Sequence, residues 1–159
     1  EGYDMAIRTG IMADSNLIRT KIATRRSYTC AAPDYLQRAG TPQTVADLKT
    51  HDCLVGSSAN WQFQVGDHSP IFEPSGRFRC NSGETIVNAA IAGLGICQLP
   101  EFHVLRHLSS GALVEILKDH RPQPEPIWAV YPQRRHLTPK VRLLVERLRS
   151  LLEPALTRS

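Results

Sequence analysis

The sequence predicts an α/β fold with a largely parallel sheet. Short runs of strand length, apolar or alternating, take turns along the chain with segments of helical periodicity. A chain of 159 residues, 42% apolar and 21% charged, has ordinary globular composition and is long enough to bury a core without staples. Helix punctuation is also in place, with proline at first turns and glycine after last ones.

Residues 3–8 (YDMAIR) read as a strand ended by Thr9 and Gly10, and 12–16 as a loop. Residues 17–23 alternate as a second strand and 27–31 form a third. Pro33 opens a short helix, PDYLQRA, closed by Gly40, and Pro42 and Thr44 introduce another over 45–48. Strands are expected at 53–56, 61–65 and 77–80. Ser82 is a natural N-cap for the clearest helix, with Glu84 in its positive first turn and Ile86, Ala89, Ala90 and Gly93 on one small apolar face. Gly93 and Gly95 end it, and residues 96–99 make a buried strand stopped by Pro100. A helix over 102–108 and a strand over 113–117 follow. Three prolines in residues 121–126 mark a stiff connector before the strand IWAVYP at Ile127. Thr138 and Pro139 then cap a final helix whose Val141, Leu144, Val145, Leu148 and Leu152 share a face.

The longest apolar run, residues 89–97, is too short to cross a bilayer, and no charged-then-apolar leader opens the sequence. Net charge is +4, and residues 134–159 hold seven basic side chains against two acidic. Such a face can touch nucleic acid or an anionic membrane, but is more often simply solvated. The four cysteines, Cys30, Cys53, Cys80 and Cys97, lack zinc-knuckle spacing and sit in short apolar or alternating runs, as buried thiols of a reducing compartment do. His103 and His107, four apart on a helix, have no third ligand in view. No metal or cofactor is expected. Nucleophile-elbow, P-loop, zincin and dinucleotide motifs are all missing, so the chain does not read as an enzyme.

Ligand binding is better supported. In open α/β sheets small ligands sit beyond the carboxyl ends of strands, near helix N-termini. Arg8 and Thr9 end the first strand, Ser57, Ser58, Asn60 and Trp61 follow the CLV strand, and Asn81 and Ser82 begin the long helix. A guanidinium, hydroxyls, amides, an indole and a helix dipole suit a small carboxylate with some apolar body. The plainer alternatives are a surface Arg8, a turn at 57–60, a core Trp61 and a simple Ser82 cap.

The order YDMAIRTG, RRSYTCAAPDYLQRAGTPQTVADLKTHDCLV, GLGICQLPEF, SGALVEIL and IWAVYPQRRHLTPKVRLLVERL resembles the effector-binding domain of LysR-type transcriptional regulators over essentially the whole chain. The segments AAPDYLQRAG, DLKTHDCL and AGLGICQLP carry most of the match. The resemblance implies a two-lobed fold like that of type II periplasmic binding proteins. Residues 1–25 and 127–159 would form a first lobe, incomplete on its N-terminal side, and 26–126 the second. It implies a small-molecule effector held between the lobes by the eight residues named above. It further implies DNA contact only through a winged helix-turn-helix absent from these residues, a homodimeric or tetrameric parent, no membrane association and a cytoplasmic location. The competing reading is an extracytoplasmic solute-binding protein of a transport system. The unpaired-looking cysteines and the AAPDYL segment speak against it.

Overall fold

A computed structural model of the chain describes residues 4–10, 16–132 and 139–157, with side chains as far as 152. Tyr3, most of the expected loop at 12–16, the Thr138 cap and the basic residues Arg134, Arg135 and Arg158 lie outside the described residues. The strands are β1 (Ala6–Thr9), β2 (Leu17–Arg25), β3 (Ser27–Ala31), β4 (Trp61–Gln62), β5 (Ile71–Phe72), β6 (Cys97–Pro100), β7 (Val114–Glu115) and β8 (Glu125–Pro132). The α-helices are α1 (Pro33–Ala39), α2 (Gly83–Ile91), α3 (Glu101–Ser109) and α4 (Pro139–Thr157). The chain forms two compact units, one from Glu1–Arg25 with Pro124–Ser159 and the other from Arg26–Gln123.

In the first unit β8 lies between β1 and β2, antiparallel to both. A register shift between Lys21 and Ala23 places the consecutive Ile22 and Ala23 both in the core, where strict alternation would expose one of them. They pack with Ile127, Ala129 and Tyr131 of β8 and with Val141 and Val145 of α4, flanked by Leu148 and Leu152. Leu144 departs from the expected apolar face. It lies about 60° around the helix from Val141 and is 47% exposed. The connector also differs from expectation, because β8 begins at Glu125 and takes in Pro126. Proline lacks a donor, but its carbonyl still serves the sheet by accepting from Gly10 N at 3.1 Å.

In the second unit β3 is central, antiparallel to β6 and β7. The expectation of a largely parallel sheet is corrected here, since every ladder between named strands is antiparallel. Parallel pairing persists only as bridges from Cys53 to Ile96 and from Val55 to Arg79 among the described residues. Alternation of strands with helices does not set strand direction once connections are long enough to return either way. The expected strands at 53–56 and 77–80 are reduced to these bridges, and 61–65 shortens to the two-residue β4. A two-residue partner, β5, and a 3-10 turn over Lys118–His120 were not anticipated. The second short helix is a 3-10 turn, Val45–Thr50, opened by a reciprocal cap between Thr44 and Asp47.

This sheet is buried on both faces, which explains why its strands read as continuous apolar runs. Cys30, Leu54, Cys97 and Leu99 meet α2 and α3 through Ile86, Val87, Ala90 and Val104. Their neighbours Ala31, Cys53 and Ile96 turn to the opposite cluster with Tyr35, Leu48, Trp61, Phe63 and Phe72. Each fully buried Ile, Leu or Phe side chain contributes about 1.5–3 kcal/mol. All four cysteines are free thiols. Among the described residues no helix is long and apolar enough to cross a membrane.

Candidate functional site

In the first unit the end of β1 is tightly tied. Gly10 turns the chain at φ +83°, and its carbonyl accepts from Trp128 Nε1 at 3.0 Å. Arg25 donates to Thr9 Oγ1 at 3.3 Å and pairs with Glu125 at 2.8 Å. The Thr9 hydroxyl is therefore already engaged. The Arg8 side chain is exposed and makes no hydrogen bond or ion pair among the described residues. As strand neighbours, Arg8 and Thr9 project to opposite faces. The sequence places them together, and the pleat separates their side chains.

In the second unit the loop after Val55 and the start of α2 are brought together directly. Ser57 Oγ donates to the Asn81 carbonyl at 3.0 Å. Ser58 Oγ donates to the Asn60 carbonyl at 2.7 Å and accepts from Asn60 N at 3.4 Å, a closed local turn. Ser82 caps α2 as expected, its Oγ accepting from Thr85 N at 3.3 Å. Among the described residues the side-chain amides of Asn60 and Asn81 and the first-turn backbone amides of Gly83 and Glu84 have no hydrogen-bond partner. The Glu84 carboxylate, which would repel an anion, pairs with Arg106 of α3 at 3.3 Å. Trp61 differs from the rest. It is 2% exposed and packs against Phe72, with ring centroids 6.1 Å apart, so it supports the loop from the core rather than offering a face to a ligand.

Two residues outside the expected set shape this mouth. Gln98 of β6 clamps β4: its Oε1 accepts from Gln62 N at 3.1 Å, and its Nε2 donates to Gln62 O at 2.9 Å and to Thr29 Oγ1 at 3.1 Å. One side chain thus imitates a strand partner for the residue that follows Trp61. A lone amide within the apolar run ICQLP is the sequence signal for it, although its partners lie 36 and 69 positions away. The second is His103 of α3, whose ring lies so close to Gly83 that a Cβ there would collide with it. Burial lowers the His103 pKa against the opposing pull of Glu84, so a neutral imidazole sits beside the α2 N-terminus. By sequence His103 stands out only as half of a histidine pair with His107. In the structure His107 Nε2 accepts instead from Arg106 at 2.9 Å.

A family model described as the LysR substrate binding domain matches residues 1–153. An uncharacterized HTH-type transcriptional regulator of Haemophilus influenzae is 41% identical over 145 residues, 89% of this chain and 50% of that protein. The HTH-type transcriptional activator TtdR of Escherichia coli K12 is 33% identical over 92% of this chain and 48% of its own length. The full-length structure of the Vibrio cholerae virulence activator AphB, a member of the LTTR protein family, superposes with a TM-score of 0.79 at 29% identity, covering 92% of this chain and 51% of that one. CrgA, a LysR-type transcriptional regulator from Neisseria meningitidis, gives 0.76 at 28% identity, over 94% and 52%. The chain spans about half the length of the curated relatives it matches.

Proposed function

The chain belongs to the LysR substrate binding domain family, and from that premise we propose that it senses a small organic anion, most simply a carboxylate, for a DNA-binding transcriptional regulator. Its fold is the periplasmic-binding-protein-like α/β fold of the regulatory domains in its structural neighbours, and the solute-transport reading is not favoured by relatives named as transcriptional regulators. The observation that carries the choice of an anion is the α2 mouth, where the first-turn backbone donors lie beside the loop that Ser57 ties to Asn81, while the carboxylate of Glu84 is paired with Arg106.

The proposed effector contacts are Ser57, Ser58, Asn60, Asn81 and Ser82 in the second unit, and Arg8 and Thr9 in the first. Trp61 keeps a supporting role. The two compact units are proposed as the two regulatory subdomains, with effector binding shifting a conformational equilibrium of the parent protein. DNA contact belongs to a winged helix-turn-helix outside this chain. A homo-oligomeric, cytoplasmic parent without catalytic activity completes the reading.

Titration calorimetry with a panel of small mono- and dicarboxylates, on this chain and on a form extended upstream, tests it. At least one carboxylate is expected to bind, and Arg8→Ala to cost about 1.5–3 kcal/mol, the range of a charge-assisted hydrogen bond. No binding by either form, with neutral amides or sugars binding instead, refutes the anion assignment. Unchanged affinity in Arg8→Ala removes Arg8 from it.

A further inference from the structure

Cys30 and Cys97 are register partners in the antiparallel β3–β6 pair, and their sulfurs lie 3.5 Å apart. Both are fully buried and both are free. A lone core cysteine is usually just a small hydrophobe; here two of them face one another across a ladder. Residues directly opposed in such a ladder have Cα atoms about 4.5 or 5.5 Å apart, depending on whether the pair is hydrogen-bonded. Either spacing falls inside the roughly 4.4–6.8 Å that a disulfide spans. Side-chain rotation can therefore bring the sulfurs together without re-registering the strands. The other two thiols have different surroundings. Cys53 turns to the opposite core cluster, with its sulfur 3.8 Å from the Leu48 carbonyl, and Cys80 accepts from Ser82 N.

The pair also has a structural address. Three positions along the ladder Ser27 meets Pro100, and the next residues are locked reciprocally: Arg26 N donates to Glu101 Oε1 at 3.1 Å, and Glu101 N donates to Arg26 O at 2.9 Å. Glu101 is itself only 3% exposed. Arg26 is the first residue of the second unit. A covalent bond between β3 and β6 would brace the segment on which the chain enters that unit.

We propose that Cys30 and Cys97 form a thiol–disulfide pair, which an organic hydroperoxide oxidises to a cross-strand bond bracing Arg26. One sulfur attacks the peroxide O–O bond, giving a sulfenic acid and releasing an alcohol. The second sulfur then attacks the sulfenic sulfur, the S–S bond forms and water leaves. Both thiols are oxidised by two electrons together, and the hydroperoxide is reduced to alcohol and water. The side-chain contact with Cys30, and then burial, hold the Cys97 thiol well above the usual range, so the pair reacts when the ladder opens locally and not as an exposed thiolate would.

The test exposes the reduced, folded chain to tert-butyl hydroperoxide, quenches in acid, alkylates in denaturant and maps peptides. The expected result is that alkylatable thiols fall from four to two, with the Cys30 and Cys97 peptides recovered linked. Hydrogen exchange at the Arg26 and Ser27 amides should slow severalfold after oxidation, and Cys80→Ser should leave the linkage intact. Four alkylatable thiols under conditions that oxidise the urea-unfolded chain overturn the proposal. So does linkage through Cys53 or Cys80, or over-oxidation of either partner without a link.

Discussion

Replacing Gln98 with Ala removes three hydrogen bonds at once, and the structure tells them apart. The two to the Gln62 backbone lie on an exposed residue, so water takes them over and each costs the low end of the usual range, about 0.5 kcal/mol. The third leaves the hydroxyl of Thr29, 4% exposed, without its donor, which costs about 1–1.5 kcal/mol. The expected destabilisation is thus about 2 kcal/mol, a fall of about 1 M in the urea midpoint at an ordinary m-value. Local effects discriminate better than the midpoint. With its side-chain partner gone, the Gln62 amide should exchange faster with solvent by more than the global change accounts for, because β4 is only two residues long and has lost one of its two flanks. Gln98→Glu supplies a sharper control. Ionised, it sets a carboxylate oxygen against the Gln62 carbonyl and should match the alanine variant at neutral pH, then recover in part as the pH falls from its raised folded-state pKa towards the ordinary carboxyl value of about 4.3 and one donor returns. Urea unfolding followed by fluorescence, with amide exchange by NMR, measures all of this. A loss below about 0.5 kcal/mol with unchanged exchange at Gln62 would show that the clamp does not hold β4.

Two further outcomes follow from close contacts and burial. Gly83→Ala forces the His103 ring to move and should destabilise by about 1–3 kcal/mol despite the better helix propensity of alanine; in a His103→Ala background the same change should be neutral or stabilising, and thermal melts showing simple additivity would refute the contact. Burial pushes the Cys53 thiol up to about 11 from an ordinary value near 9. The folded state therefore keeps a proton that the unfolded state releases, and the associated stability is complete below about pH 9 and is lost as pH rises through about 11. Between pH 8 and 11 the wild type should lose about 2 kcal/mol more than Cys53→Ala in urea unfolding, and parallel losses would show that Cys53 does not titrate there.

What could be read in advance was whatever is decided within a few residues. β3 runs over Ser27–Ala31 as its apolar pattern requires, and α1 runs from Pro33 to Ala39 with Gly40 at φ +84° behind it. Ser82 bonds the amide of Thr85 because an N-cap and its recipient are three positions apart. The order of such segments was also enough to resemble a family, since it is a one-dimensional property. Of the candidate site, the convergence of the 57–60 loop on Asn81 and Ser82 was legible through the expectation that ligands gather where strands end and helices begin. The engaged state of those same groups was not: Ser57, Ser58 and Thr9 spend their hydroxyls on the chain itself, and Trp61 turns inward.

Only the tertiary structure decided strand direction, the bulge that buries Ile22 and Ala23 together, the Gln98 clamp and the opposition of Cys30 to Cys97. Each depends on which distant segment arrives alongside, across separations of 36 to more than 100 residues. Such pairings are selected by the summed burial of two faces and the closure of many hydrogen bonds at once, and no local propensity encodes that choice. A glutamine in an apolar strand or a cysteine in a buried run is therefore ambiguous until its partner is known, and the partner is a property of the folded sheet.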